Sequence, residues 1–306
     1  MKLAFIGTGT MGGGMARNLV RGGADLTVIA RRPAVRDAFA ALGCPVFAEN
    51  GAAAACDAVF LCLPDEAAVE KVLFGEGGVL SESNPADKET DSVARPRIIV
   101  DCSTISYGKA REFAARCAAL GTAYLDAPVS GHQAKAEAGM LTVMAGGEES
   151  VFEEVRPYLE MTGSQILYMG PSGSGQLTKM INNCALNICT ASFCELMPVG
   201  VKLGLDPEKL GEVLTTATGS SYASKTLIPE VLEGNFAHGF TLERAYKDMK
   251  SMLEVCEELS VPLPTFLGCL ETYRRALETG RGDLYKGAMI CFYEDLLDVK
   301  CRRQRS

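Results

Sequence analysis

The sequence predicts an α/β N-terminal half and an all-α C-terminal half joined by one long helix. Three observations carry this prediction. Short apolar, β-branched runs alternate with helix-period segments as far as about residue 170. Beyond that point the strand signal stops and helical patterns fill the chain. A glycine-rich turn separates the first apolar run from the first helical segment. A chain of 306 residues has room for the two domains this implies, 1–168 and 169–306.

In chain order, residues 2–6 (Lys-Leu-Ala-Phe-Ile) read as a buried parallel strand ending at Gly7. Met11, Met15, Ala16, Leu19 and Val20 recur at helical spacing over 11–22, and 25–30 form a second β-branched run. Strand, helix and strand within 30 residues make a βαβ unit. The alternation continues with a helix at 33–42, a strand at 45–47, a short helix at 50–55, a strand at 57–63 and a helix at 65–73. A strand at 97–102, a helix at 106–120 ending at Gly121, and a strand at 122–126 follow. Strands at 140–146 and 164–169 flank a helix at 148–160. Residues 81–97 are polar, contain two prolines and lack periodicity, which predicts an exposed loop. The second half reads as one long helix at 174–203, with a kink foreseen at Pro198, then helices at 206–216, 222–233, 241–259, 263–278 and 283–300.

Composition narrows the function classes. Hydrophobic residues make up 47% and charged residues 22%, which supports a real core and excludes a disordered chain, a coiled coil or a collagen-like fibre. A net charge of −8 argues against nonspecific nucleic-acid binding or a basic membrane surface. The twelve cysteines are scattered with no Cys-x-x-Cys pair, and His132 and His238 stand apart from any cysteine pair, so no metal site is expected. Steps of five residues put Cys184, Cys189 and Cys194 on different faces of a helix. Most of the thiols read as small buried hydrophobes in a reducing cytoplasm. No signal peptide and no uninterrupted apolar run of about 18 residues is seen, so no membrane span is expected.

Gly7-Thr8-Gly9-Thr10-Met11-Gly12 matches G-x-G-x-x-G in the context that gives the pattern meaning, after a strand and at the start of a helix. Gly7 permits the tight turn, Gly9 lets backbone N–H groups approach a pyrophosphate, and Gly12 lets helix and strand pack closely. This is the fingerprint of a Rossmann-type dinucleotide domain, against the alternative of a glycine turn with no ligand. An NAD site carries Asp or Glu at the end of the second strand to bind the ribose 2′-OH. Here Ala30 is followed by Arg31 and Arg32, which would not repel a 2′-phosphate and could clasp it. That favours NADP over NAD, the other reading being two solvated arginines. Lys179 and Asn183 lie four apart, on one face of the long helix. A desolvated lysine can serve as general acid or base near neutral pH. Taken alone, a solvated surface Lys/Asn pair is the better reading.

Four stretches in order resemble the β-hydroxyacid dehydrogenase family. Its members include 3-hydroxyisobutyrate dehydrogenase, tartronate semialdehyde reductase and glyoxylate/succinic semialdehyde reductases, with 6-phosphogluconate dehydrogenase more distant. The stretches are Gly7–Gly23, Asp126-Ala127-Pro128-Val129-Ser130-Gly131, Gly173–Asn183 with its G-x-G-x-x-x-K-x-x-x-N spacing, and Lys247-Asp248 after Phe240. The resemblance covers nearly the whole chain and is far more specific for the family than for the substrate. It implies Lys179 as general acid/base and Asn183 as the group holding the reacting oxygen. It implies Ser130 and the Gly131 N–H as carboxylate binders, with His132 beside them. Lys247 would sit over cofactor and substrate with Asp248 nearby, and Leu63, Pro64 and Thr104 would contact the cofactor.

The implied reaction is NADP(H)-dependent interconversion of a small, carboxylate-bearing β-hydroxy acid and its semialdehyde. The active site is expected between the two domains. Two departures stand out. His132 stands where the family usually has a second glycine, and it could narrow the carboxylate site, add a donor for a substrate with a second anionic group, or face solvent. The loop at 81–97 is longer than the family suggests. Gly219-Ser220-Ser221-Tyr222 either faces the active site or packs in the core. The apolar surface of the long helix (Met180, Ile181, Leu186, Ile188, Leu196) suggests a homodimer or homotetramer. A noncatalytic NADPH-binding scaffold is the alternative function, weighed down by the presence of Lys179, Asn183 and Ser130. An imine reductase is weighed down by Lys179.

Overall fold

A computed structural model describes residues 1–81 and 94–303, and they form two compact units, Met1–Lys179 and Met180–Ser306. In the first unit β1 (Lys2–Ile6), β2 (Asp25–Ile29), β3 (Val46–Phe47), β4 (Ala58–Leu61), β5 (Ile98–Asp101) and β6 (Ala123–Asp126) pair in parallel. Their order across the sheet is 3-2-1-4-5-6, that of a doubly wound dinucleotide-binding fold. β8 (Leu141–Gly146) extends the sheet antiparallel to β6 and pairs with β7 (Val129–Ser130) and β9 (Gly163–Gly170).

The central strands β1, β2, β4 and β5 are mostly apolar because both faces are covered. Leu3, Phe5, Val28, Phe60 and Val100 face a core built with Met15 and Leu19 of α1 (Gly12–Arg21) and Phe152, Val155 and Leu159 of α6 (Glu149–Glu160). The alternate residues Ala4, Ile6, Val59, Leu61 and Ile99 face Val69 and Leu73 of α3 (Glu66–Phe74) and Ala110, Phe113 and Cys117 of α4 (Tyr107–Ala119). Asp65 and Ser106 cap α3 and α4 by accepting the Ala68 and Lys109 N–H groups, which sets where both helices begin. The register aligns Ile29, Ile6, Leu61, Asp101 and Asp126 in one row, so the loops that follow them share one edge of the sheet.

α2 (Pro33–Ala40), with Pro33 in its first turn, follows β2. Two short elements, β7 and α5 (Gln133–Glu137), fall where no element was expected. Residues 94–97 correct the expectation of an exposed loop. Pro96 is buried, its carbonyl accepts the Thr122 hydroxyl at 2.9 Å, and the Arg97 N–H donates to the Asp57 carbonyl at 2.9 Å. The rest of that predicted loop, 82–93, lies outside the described residues.

α7 (Ser174–Lys202) begins in the first unit and continues into the second, unbroken through Pro198. It is followed by α8 (Pro207–Thr216), α9 (Tyr222–Glu233), α10 (Leu242–Leu259), α11 (Pro264–Glu278) and α12 (Ile290–Leu297). The last expected helix, 283–300, is shortened to α12 with a 3-10 turn at Lys286–Met289 before it. The backbone of 284–286 is committed elsewhere: Leu284 accepts the Leu242 N–H, while the Tyr285 and Lys286 N–H groups donate to Phe236 and Phe240. That extended pairing competes with a helix start.

By length and composition α7 could cross a membrane, with a mean hydropathy of 1.4 over its best window, against the sequence expectation of no such segment. Its buried polar residues are nonetheless matched inside the protein. Asn187 accepts from Lys286 at 3.0 Å, and the Thr190 hydroxyl donates to the Leu186 carbonyl at 2.9 Å. That is the pattern of a core helix. All twelve cysteines are free, nine of them buried, as small core hydrophobes.

Candidate active site

The glycine turn joins β1 to α1. Gly7 has φ +99°, and a Cβ there would lie 2.2 Å from the Cys62 carbonyl oxygen. A Cβ on Gly12 would lie 2.1 Å from the Gly7 carbonyl oxygen, so neither position admits a side chain. A Cβ on Gly9 meets nothing within 4 Å. Gly9 is therefore not needed for packing; it leaves open surface at the start of a helix whose first turn has no acidic residue. That is a fit for a pyrophosphate.

Beside this turn, β2 is followed by the buried Ala30, and Arg31 and Arg32 are exposed. Arg36 of α2 donates Nη1 to the carbonyls of Ala30 and Arg31, both at 2.9 Å, and so braces the backbone that carries the two arginines. Arg32 Nη2 reaches the Thr8 carbonyl at 3.5 Å. The segment 30–36 holds three guanidinium groups and no carboxylate, which fits a 2′-phosphate.

The next two loops are tied to one another. The Leu63 N–H donates to Ser103 Oγ at 2.9 Å, which joins the Leu63–Pro64 turn to the segment around Thr104. Thr104 is exposed between the buried Ser103 and Ile105. Beneath them, Asp101 Oδ1 accepts the Ser103 N–H at 2.9 Å and Asp101 Oδ2 accepts the Tyr124 hydroxyl at 2.8 Å. Burial raises the Asp101 carboxyl above its ordinary range, against the pull of these donors. Asp126, at the end of β6, accepts the N–H groups of Gly173 and Gln176 at 2.7 and 2.8 Å. Burial pushes its carboxyl up to about 7, opposed by those two N–H groups and helped by Asp101.

Ser130 is half-buried in β7, paired with Thr142, and Gly131 takes φ +150°, where a Cβ would meet Leu141 Cδ2 at 2.6 Å. His132 is exposed at the start of α5. Lys179 is half-buried on the second turn of α7, one turn before Asn183. In the second unit, Asn183 Nδ2 donates to Asp248 Oδ2 of α10 at 3.2 Å, and Lys247 is exposed beside it. Tyr222 is 57% exposed, which removes it from the core of that unit, and Ser221 caps α9 in a reciprocal pair with Ser224. Of the apolar residues expected on the surface of α7, Met180 is buried, Leu186 and Ile188 are half-buried, and Ile181 and Leu196 are exposed.

Five residues at this edge escaped the sequence reading: Arg36, Asp101, Ser103, Asp126 and Gln176. Asp126 and Gln176 lie inside motifs that drew attention for other positions, and that was the only available signal. A cavity of about 520 Å³ lined by Leu205, Pro207, Lys300 and Arg303 lies beyond the C-terminal end of α7, away from every expected site residue.

Comparison with known proteins finds relatives over nearly the whole chain. Residues 2–170 match the NAD-binding domain of 6-phosphogluconate dehydrogenase. Residues 173–293 match the NAD-binding domain of NADP-dependent 3-hydroxyisobutyrate dehydrogenase. The chain is 36% identical to 2-(hydroxymethyl)glutarate dehydrogenase of Eubacterium barkeri, over 98% of this chain and 97% of that one. It is 34% identical to 2-hydroxy-3-oxopropionate reductase of Escherichia coli, over 95% and 96%. A crystal structure of 3-hydroxyisobutyrate dehydrogenase from Salmonella typhimurium superposes with a TM-score of 0.82 at 27% identity, covering 95% of this chain and 99% of that one. With a glycine turn, a doubly wound sheet and a long helix carrying Lys179 and Asn183, the chain belongs to the β-hydroxyacid dehydrogenase family of NAD(P)-binding oxidoreductases.

Proposed function

We propose that the protein interconverts a small β-hydroxy acid and its semialdehyde with NADP(H), Lys179 being the general acid/base. The observation that carries this reading is the pairing on α7: Lys179 stands one turn before Asn183, whose amide is held by Asp248. The bound nicotinamide supplies or accepts the hydride at the substrate carbon. In reduction, the Lys179 ammonium protonates the oxygen of the new alcohol. In oxidation, neutral Lys179 takes the hydroxyl proton. By the family resemblance, Asn183 would hold the reacting oxygen, Ser130 and the Gly131 N–H would bind the carboxylate, and Lys247 would sit over cofactor and substrate with Asp248 nearby. Leu63, Pro64 and Thr104 contact the cofactor.

The three arginines at 31, 32 and 36, with no carboxylate among them, support NADP over NAD. The named activities of the relatives support a substrate with one carboxylate near the reacting carbon; 2-(hydroxymethyl)glutarate, tartronate semialdehyde and hydroxyisobutyrate all share it. The division into a cofactor domain over 1–168 and a substrate and oligomerisation domain over 169–306 belongs to the same proposal, as does a cytoplasmic site of action.

The test follows NADPH oxidation at 340 nm against carboxylate aldehydes of two to five carbons, with NADH in parallel. Turnover that is lost in Lys179→Ala supports the mechanism. Turnover retained near the wild-type rate in that variant overturns it, and cofactor binding without turnover across the panel supports a scaffold instead. Leu196, Val199 and Leu203 expose 66%, 45% and 81% of their surface on and beside α7, which supports a homo-oligomer. A monomer in sedimentation at micromolar concentration overturns that part.

A further inference from the structure

The first turn of α7 is bound to the sheet by two side chains with no part in the chemistry above. Asp126 Oδ1 accepts the Gly173 N–H at 2.7 Å and Oδ2 accepts the Gln176 N–H at 2.8 Å. Gln176 donates Nε2 to the Ser103 carbonyl at 2.7 Å and accepts the Ile105 N–H on Oε1 at 3.2 Å. The two are buried, with 0% and 1% of their surface exposed. Gln176 therefore grips the backbone on both sides of Thr104, three residues before Lys179.

Sterics leave this turn no room to slip. A Cβ on Gly175 would lie 2.5 Å from the Asp126 carbonyl oxygen, and one on Gly146 would lie 2.7 Å from the Gly175 nitrogen. A carboxylate at the start of a helix also suits the helix dipole. A buried amide bonded at both ends to one loop holds one geometry, because losing either bond leaves a buried polar group unmatched. Residues 176 and 179 are neighbours along the helix surface, so whatever moves Gln176 moves Lys179.

We propose that Asp126 and Gln176 are positioning residues that lock the Lys179 turn of α7 to the Thr104 loop, so that the acid/base and the cofactor loop behave as one rigid piece. The proposal rests on the reading of Lys179 as the acid/base. A misplacement of about 1 Å in an active site costs roughly a hundredfold in rate, and that sets the scale of the expected effect.

The experiment compares the full-length wild type with Gln176→Met, Asp126→Asn and Lys179→Ala. It records kcat against pH, NADPH dissociation constants by fluorescence titration, and thermal melting. Gln176→Met is expected to melt cooperatively, lose about 10- to 100-fold in kcat, bind NADPH more weakly, and shift the lysine limb of the pH profile. A merely structural residue would lower the active fraction and leave that limb in place.

Hydrogen exchange on the wild type gives a second readout that needs no variant. NADP⁺ is expected to slow exchange over 103–107 and 173–179 together, and protection confined to 103–107 overturns the proposal. Loss of turnover in Lys179→Ala, with kcat, binding and pH profile unchanged in a folded Gln176→Met, overturns this inference and leaves the acid/base reading standing. Retained turnover in Lys179→Ala overturns the acid/base reading itself.

Discussion

Asn183 donates its side-chain amide to the Asp248 carboxylate at 3.2 Å, joining α7 to α10 within the second unit. An ionised carboxylate only accepts, so it fixes which end of the amide is nitrogen. That leaves a defined N–H for a reacting oxygen.

Asp248→Asn removes this constraint, since an amide can both donate and accept. We expect kcat/KM to fall about tenfold or more, the loss of one charge-assisted hydrogen bond, with the melting temperature little changed. Steady-state kinetics and a melting curve on the same preparation check it.

Arg31→Ala and Arg32→Ala should each raise the KM for NADPH by about 10- to 100-fold, the worth of a charge-assisted hydrogen bond. The KM for NADH should stay nearly constant, because it has no 2′-phosphate. Equal effects on the two cofactors would remove the arginines from cofactor selection.

Gly7 and Gly9 should behave differently although they share one motif. Gly7→Ala puts a Cβ 2.2 Å from the Cys62 carbonyl oxygen at φ +99°. It should destabilise the fold by about 3 kcal/mol or more, read by urea unfolding. Gly9→Ala meets no atom within 4 Å. It should fold as the wild type does and bind NADPH about tenfold more weakly, because the methyl group occupies surface that the pyrophosphate approaches.

Asp126 makes stability depend on pH. Its carboxyl lies at about 7 in the folded protein, raised by burial, and near 3.8 when unfolded. Between these values the folded chain holds a proton that the unfolded chain has lost, so this group's contribution falls as pH rises. It is fully present below about pH 4 and gone above about pH 7, on the order of 4 kcal/mol across the window. Melting temperatures of wild type and Asp126→Asn from pH 5 to 8 should diverge accordingly, with the flatter profile in the variant.

The strands, the glycine turn and the Lys179–Asn183 pair were legible because each leaves a local trace: a run of apolar residues, a spacing of glycines, or a repeat of four. β7 and α5 were not, since two and five residues are too short to show a period. Residues 283–286 carry a helical pattern but are drawn into pairing with 236–242, a long-range competition invisible in a local window. Gln176 and Asp126 read as ordinary polar positions, because burial of a polar side chain depends on the partner that matches it.

The chain alone specified its alternation of strand and helix, its dinucleotide turn, the absence of a carboxylate after β2 and its family. These follow from residue type and spacing along a few turns. Only the tertiary structure decided that the loops after β1, β2, β4 and β5 meet at one edge, and that Asp126 and Gln176 hold the start of α7 there. Strand register and the matching of buried polar groups join residues such as Ser103 and Gln176, which stand 73 positions apart, and no pattern within either segment encodes the other.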